Sequence, residues 1–232
     1  MKSLMIQGTS SGAGKTTLVA ALCRIFSDKG YSVAPFKSQN MSNFAYITPD
    51  FEISRAQAIQ AFGARCNITP DLNPILLKPV GNYSSIVYLN GKRFKKMHAQ
   101  EYYEKFVNIE GMKIATKSLK TLQKNFDLVI MEGAGSPAEI NLQKYDIANM
   151  KIAKKANADV LLVTDIDKGG SFASIVGTMA LIEKNHQKLV KGFIFNKFRG
   201  DINVLKPGFQ KLKNITKIPV IGTVPLMSLD LP

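Results

Sequence analysis

The chain has 232 residues, 45% of them hydrophobic, and its 31 Lys+Arg against 17 Asp+Glu give a formal net charge of +14. That length and apolar share fit one α/β domain with a full core, and no run of eighteen apolar residues exists to cross a membrane. The two cysteines, Cys23 and Cys66, form no CxxC pair and no ligand cluster, so both read as buried structural thiols in a reducing cytoplasm.

The N-terminal Met-Lys-Ser-Leu-Met-Ile-Gln-Gly runs straight into a strand at 3–8, which leaves no room for a signal peptide. A helix over 14–29 follows, with Leu18, Leu22, Ile25 and Phe26 on one face and Gly30 at its C′ position. After a strand at 32–37, the sequence predicts a helix over 49–66, with Thr48 as N-cap and Pro49 as first helical residue. Asp50 and Glu52 then fall in a first turn, where acids complement the helix dipole. Strands at 74–80 and 84–90 come next. Segment 81–98, with its turn residues and basic patch, reads as a hairpin or insertion. Helices over 99–125, 145–157, 171–185 and 203–214 alternate with strands at 127–132, 159–166, 191–198 and 219–224.

Asp127-Leu-Val-Ile-Met and Asp159-Val-Leu-Leu-Val are apolar almost throughout, as strands of a parallel sheet covered on both faces are. The β–α alternation predicts a doubly wound α/β fold, a mostly parallel sheet with helices on both faces, as one domain over 1–232. There is no internal repeat, low-complexity tract or linker.

The strongest local signal is Gly8-Thr9-Ser10-Ser11-Gly12-Ala13-Gly14-Lys15-Thr16-Thr17, which leaves a strand and opens a helix as a Walker A loop does. Its glycines let the backbone wrap closely, so that N–H groups and a helix N-terminus face phosphate oxygens. Lys15 would reach the β- and γ-phosphates of ATP, and the Thr16 hydroxyl would ligate Mg²⁺. The loop departs from the strict pattern: six residues before Lys15 stands Thr9, and the glycine is one position earlier. Partitioning and septum-placement ATPases have a similar loop with a second lysine five residues before the invariant one; here that place is Ser10.

Asp127-Leu-Val-Ile-Met-Glu132-Gly-Ala-Gly135 is an apolar strand ending in a carboxylate and a glycine turn. A carboxylate at the carboxyl end of a central strand lies beside the phosphate loop in such folds, so Glu132 can hold Mg²⁺ directly or through water. The +14 charge admits three readings: a lysine-rich surface, nucleic acid, or a basic cleft for a polyanionic substrate. Lysines such as Lys92, Lys113, Lys124 and Lys154 are scattered and not interleaved with stacking aromatics, which favours the first over nucleic acid.

Several stretches together resemble one family over the whole chain. They are Gly8–Thr17, Ala34-Pro-Phe-Lys-Ser-Gln-Asn-Met-Ser-Asn43, Glu52-Ile-Ser-Arg-Ala-Gln57, Asn73-Pro-Ile-Leu-Leu-Lys-Pro79, Glu132-Gly-Ala-Gly-Ser-Pro-Ala-Glu-Ile-Asn-Leu142, Asp146-Ile-Ala-Asn-Met150, Asp165-Ile-Asp-Lys-Gly-Gly170 and Asn196-Lys-Phe-Arg-Gly-Asp201. They resemble the synthetase domain of the cobyric acid synthases, within the dethiobiotin synthetase-like group of P-loop NTPases.

That resemblance implies that ATP phosphorylates peripheral carboxylates of adenosylcobyrinic acid a,c-diamide and that ammonia displaces the phosphate. It implies a role for Lys37 near the γ-phosphate and substrate carboxylate, and a Mg²⁺ shell completed by Asp50 or Glu52. Gln39, Asn40, Asn43, Asn141 and Asp146 would hydrogen-bond the corrin periphery, with loop or helix capping as the other reading. Asn196 resembles the adenine-reading asparagine of dethiobiotin synthetase, with Pro225 near the same base. Asp165 and Asp167 look like a substrate-side or dimer-side loop, or a turn; sites of this family type often form across a homodimer.

Family members normally continue into a glutamine amidotransferase domain that supplies ammonia, whereas this sequence stops at Leu229-Asp-Leu-Pro232. The expectation is an isolated synthetase domain or half of a split enzyme, using free ammonia or that of a separate glutaminase. Two rival readings stand beside it. One is a related carboxylate-activating enzyme, cobyrinic acid a,c-diamide synthase or dethiobiotin synthetase; the other is a non-catalytic nucleotide-binding partner protein.

Overall fold

The computed structural model describes residues 2–227; the Leu229–Pro232 end lies outside them. Six strands form an all-parallel sheet in the order β12-β11-β10-β1-β9-β2. They are β1 (Lys2–Gly8), β2 (Val33–Phe36), β9 (Leu128–Glu132), β10 (Asp159–Asp165), β11 (Val190–Phe198) and β12 (Val220–Pro225).

The sheet separates two cores. Met5, Val129, Met131, Leu162 and Phe193 join one, and Ile6, Leu128, Ile130, Val163 and Ile194 join the other. Successive residues of a strand point to opposite faces, so a strand apolar at every position needs cover on both. Helix α1 (Lys15–Asp28) supplies Leu18, Val19 and Cys23 to the second core. On the other face α4 (Met112–Asn125), α5 (Met150–Ala156) and α6 (Ser171–Leu181) supply Leu119, Ile152 and Ile175. Two further helices, α7 (Lys184–Gln187) and α8 (Ile202–Thr216), flank β11.

The segments predicted as strands at 74–80 and 84–90 stay out of the main sheet. A four-stranded sheet pairs β3 (Gln39–Met41) parallel to β6 (Ile75–Pro79), and β6 antiparallel to β7 (Ser84–Leu89), which in turn pairs with β8 (Lys92–His98).

The helix predicted over 49–66 begins later. The Thr48 hydroxyl accepts from the amides of Asp50 and Phe51 and donates to the Phe51 carbonyl, closing a turn between β4 (Ala45–Ile47) and β5 (Glu52–Ser54). Ser54 caps α2 (Arg55–Ala64), its Oγ accepting from the Ala56 amide. A Thr-Pro pair that serves a helix start equally serves a turn. Asp50 and Glu52 therefore lie before the helix, not in its first turn.

Helical winding runs through 99–125, as α3 (Ala99–Glu101), a π-helical segment (Tyr102–Gly111) and α4. The buried positions of the π segment are Tyr102, Phe106, Val107 and Gly111. An i→i+5 winding brings that i, i+4, i+5, i+9 spacing to one side, whereas 3.6 residues per turn would scatter it.

Candidate functional site

β1 ends at Gly8, and residues 9–14 carry the chain into α1 with Lys15 as its first residue. Gly14 sits at φ 94°, ψ 21°, backbone that glycine adopts without cost. A Cβ there would stand 2.0 Å from Asn196 Nδ2. That amide, at the carboxyl end of β11, donates to the Ala13 carbonyl at 2.8 Å. Next to it, Lys197 Nζ donates to the Gly12 carbonyl at 2.9 Å and pairs with Asp165 at 2.7 Å. The loop is thus held from the ends of two neighbouring strands.

Lys15 is 7% exposed, and its Nζ donates to the carbonyls of Ser10 at 2.9 Å and Gly135 at 2.8 Å. Burial lowers its pKa to about 8; the Glu132 carboxylate pulls it back up, and the Lys37 ammonium adds to the lowering.

Glu132 ends β9 and is 2% exposed. Parallel pairing sets it opposite Ile6, two residues before the loop begins at Gly8. Its Oε1 accepts from Thr16 Oγ1 at 2.9 Å and from Lys37 Nζ at 2.8 Å. Its Oε2 accepts from Gln60 Nε2 at 2.5 Å and Gln57 Nε2 at 3.3 Å. Lys37, just past β2, is fixed by its backbone: its amide donates to the Leu72 carbonyl, and its carbonyl accepts from Asn73 Nδ2.

A cavity of about 580 Å³ opens on these groups. Ser11, Gly12, Gly14, Lys15, Thr16, Thr17, Lys37, Asn40 and Glu132 all line it, and Ala13 is buried behind it. Loop amides, a helix N-terminus and Lys15 suit a polyphosphate, and the Thr16 hydroxyl with the Glu132 carboxylate could hold a hard divalent cation.

The other sequence-predicted residues are distributed differently. Gln39 is buried, accepts from the Tyr102 hydroxyl at 2.6 Å, and lines an adjoining cavity of about 300 Å³ with Asp146. Asp146 spends its carboxylate on the chain itself, accepting from the amides of Ala148, Asn149 and Lys151. Asn43 and Asn141 are exposed and line neither cavity. Pro225, paired with Phe198 at the end of β12, also lines neither. Asp50 and Glu52 are not on the wall of the phosphate-loop cavity, and Glu52 forms its ion pair with Lys78 in the four-stranded sheet. Asp165 and Asp167 pair with Lys197 and Arg199. Among the described residues no group of three or more His, Cys, Asp and Glu could hold a metal.

Sequence reasoning assigned nothing to Gln57, Gln60, Lys197 or Asn149. The last clamps the glycine turn, its amide donating to the Ala134 carbonyl and accepting from the Ala134 amide. For Gln57 and Gln60 the available signal was two glutamines three apart on an alanine-rich helix, each four residues before an alanine of its buried face.

A basic groove of about 850 Å³ is elsewhere: Lys113, Lys117, Lys120 and Lys124 on α4 line it with Lys155. No residue is common to it and the phosphate-loop cavity. No helix among the described residues is long and apolar enough to cross a membrane.

Comparison with known proteins agrees with this geometry. The family model "CobQ/CobB/MinD/ParA nucleotide binding domain" matches residues 4–229. A probable cobyric acid synthase of Thermococcus kodakarensis is 55% identical over 232 residues, all of this chain and 48% of that protein. A cobyric acid synthase of Clostridium botulinum is 51% identical over 232 residues, 47% of its length. The chain thus spans about half the length of the curated relatives it matches. Among solved structures, the signal recognition particle 54 kDa protein of Aeropyrum pernix in complex with GDP aligns at TM-score 0.55 and 15% identity, covering 97% of this chain and 42% of that one. The receptor FtsY of Elizabethkingia anophelis in complex with GDP aligns at 0.52 and 17%, covering 98% and 57%. These two share the P-loop NTPase fold, and by sequence the chain belongs to the CobQ/CobB/MinD/ParA nucleotide-binding domain family.

Proposed function

We propose that this domain activates carboxylates of a corrinoid polycarboxylate, adenosylcobyrinic acid a,c-diamide, by phosphorylating them with ATP so that ammonia can form the amides of cobyric acid. The observation that carries the reading is the Lys37–Glu132–Thr16 cluster at the mouth of the phosphate loop. It sets a second buried lysine on the cavity that Lys15 lines, and Lys37 would there meet an acid substrate facing the terminal phosphate.

A carboxylate is a poor electrophile, and its phosphorylation creates a leaving group. Lys15 and the loop amides would offset charge on the transferring phosphoryl group. Lys37 would hold the substrate carboxylate beside it, easing repulsion between two anions. Thr16 and Glu132 would hold Mg²⁺, which when bound shields the β- and γ-phosphates. Asp50 and Glu52 would come to the metal only by a movement of the β4–β5 hairpin. Asn40, on the phosphate-loop cavity, and Gln39, on the adjoining one, would meet the corrin periphery. Asn196 and Pro225 would meet the base, and Asn43, Asn141 and Asp146 the outer substrate surface. Ammonia would come from a glutamine amidotransferase domain or subunit.

The test is phosphate release with ATP and Mg²⁺, comparing a corrinoid polycarboxylate with ammonium against 7,8-diaminopelargonate with bicarbonate, the source of its ureido carbon. Corrinoid-stimulated release that ammonium supports and glutamine does not is the expected result. Stimulation by 7,8-diaminopelargonate alone would move the assignment to a dethiobiotin synthetase, and stimulation by neither would refute carboxylate activation.

A further inference from the structure

We propose that Gln57 and Gln60 are positioning residues for Glu132: they fix which carboxylate oxygen faces Thr16 and so set the affinity of the site for its divalent cation. This rests on the reading of the phosphate loop as a Mg²⁺–nucleotide site.

A carboxylate has two oxygens and free rotation about its last bond, and a cation ligand must present one of them in a fixed direction. At Glu132 the choice is made by opposite donor sets. Oε1 takes Thr16 and Lys37, and Oε2 takes Gln60 at 2.5 Å and Gln57 at 3.3 Å. Both glutamines are 0% exposed, so no water replaces them. As neutral amides they hold Oε2 without adding positive charge against an incoming cation.

The two side chains also restrain each other. Gln57 Nε2 donates to Gln60 Oε1 at 3.3 Å, and Gln57 Oε1 accepts from Asn40 Nδ2 at 3.2 Å. Asn40 donates in addition to Ser54 Oγ, the cap of α2. Gln60 Nε2 reaches the Thr16 carbonyl at 3.4 Å as well, so it touches both partners of the cation site. Gln57 and Gln60 thus form a frame of neutral amides that closes on the Glu132 carboxylate. A frame built for packing alone would place apolar side chains at these fully buried positions, since buried amides stabilise only when their partners are present.

The experiment replaces Gln60 by Met, which is close in length and cannot donate. Nucleotide affinity is measured without divalent cation, and then the Mg²⁺ concentration for half-maximal tightening. Gln60→Met is expected to leave the cation-free affinity within about twofold and to raise the Mg²⁺ midpoint by about tenfold, the equivalent of one strong charge-assisted hydrogen bond. Gln57→Met, losing the longer bond, should raise it by about threefold, and it carries the same test if Gln60→Met does not fold. An unchanged Mg²⁺ midpoint in a folded variant overturns the proposal, as does a loss of cation-free affinity as large as the loss with Mg²⁺. If the wild-type protein itself binds no nucleotide, the underlying reading of the loop fails instead.

Discussion

Replacing Gly14 by alanine tests how the phosphate loop is held. Two independent costs can be read from the structure. The backbone at this residue is left-handed, φ 94°, and a side chain there costs about 1–2 kcal/mol. The added methyl carbon would also stand 2.0 Å from Asn196 Nδ2, so the asparagine must swing away. That breaks its bond to the Ala13 carbonyl and leaves buried polar groups unpaired, at about 1–3 kcal/mol. Together they come to about 2–5 kcal/mol, and for a domain of this size each kcal/mol lowers Tm by about 2–4 °C. Thermal unfolding without nucleotide should therefore fall by roughly 4–20 °C.

Two companions separate the costs. Gly12 has φ +73° with nothing nearer to its notional Cβ than Lys168 Nζ at 3.9 Å. Gly12→Ala should thus carry only the backbone cost. Asn196→Gly in the Gly14→Ala background makes room for the methyl group, so the double variant should lose less than the two single losses added. If Gly14→Ala melts within a degree of the wild type, or no more is lost than in Gly12→Ala, then Asn196 does not brace the loop as described.

Two further outcomes concern ionisation. Lys15 titrates at about 8 in the folded protein against 10.5 for the free side chain, so between those values the unfolded state binds more protons and stability rises with pH. The cost of about 3 kcal/mol is present in full below pH 8 and relieved by pH 10.5. Lys15→Met should accordingly be more stable than wild type near pH 7, by a margin that shrinks as pH approaches 10.5, while binding no nucleotide; a pH-independent margin in paired melts would refute this. Burial pushes the Cys66 thiol to about 11 and raises that of Cys23 further. Neither should alkylate appreciably at pH 8 in the native protein, while both should in denaturant; rapid native labelling followed by mass spectrometry would contradict it.

What the sequence disclosed was what depends on near neighbours. The phosphate loop is ten consecutive residues between a strand and a helix, and β9 and β10 announce their burial by being apolar at nearly every position. The start of α2 was misread because Thr48 and Pro49 satisfy a turn as readily as a helix, and only the pairing of β4 with β5 decides between them. The four-stranded sheet was not legible as a separate layer. A strand's hydrophobicity does not say which sheet it joins, and Gln39–Met41 pairs parallel with Ile75–Pro79 across more than thirty residues. The partners of Glu132 were half visible. Thr16 and Lys37 follow from strand ends meeting at one edge, but Gln57 and Gln60 arrive from a helix whose packing no local pattern reports.

The arrangement also explains why an anion should complete this site. Lys15, Lys37 and Lys197 line one cavity, and the carboxylates that face them are Glu132 and Asp165. Lys37 and Lys197 have these acids as direct partners, whereas among the described residues Lys15 donates to the carbonyls of Ser10 and Gly135 and feels the Glu132 carboxylate without pairing with it. Carbonyl oxygens accept its hydrogens but cannot cancel its charge, and burying a cation without a directly paired counter-charge is costly. That imbalance is local. It would exist whatever the overall +14, most visibly displayed by the lysines of α4 in a groove that shares no wall with the site. A phosphate beside Lys15 would remove it by giving the ammonium a paired anion, and the relief of that burial cost would then add to the binding energy.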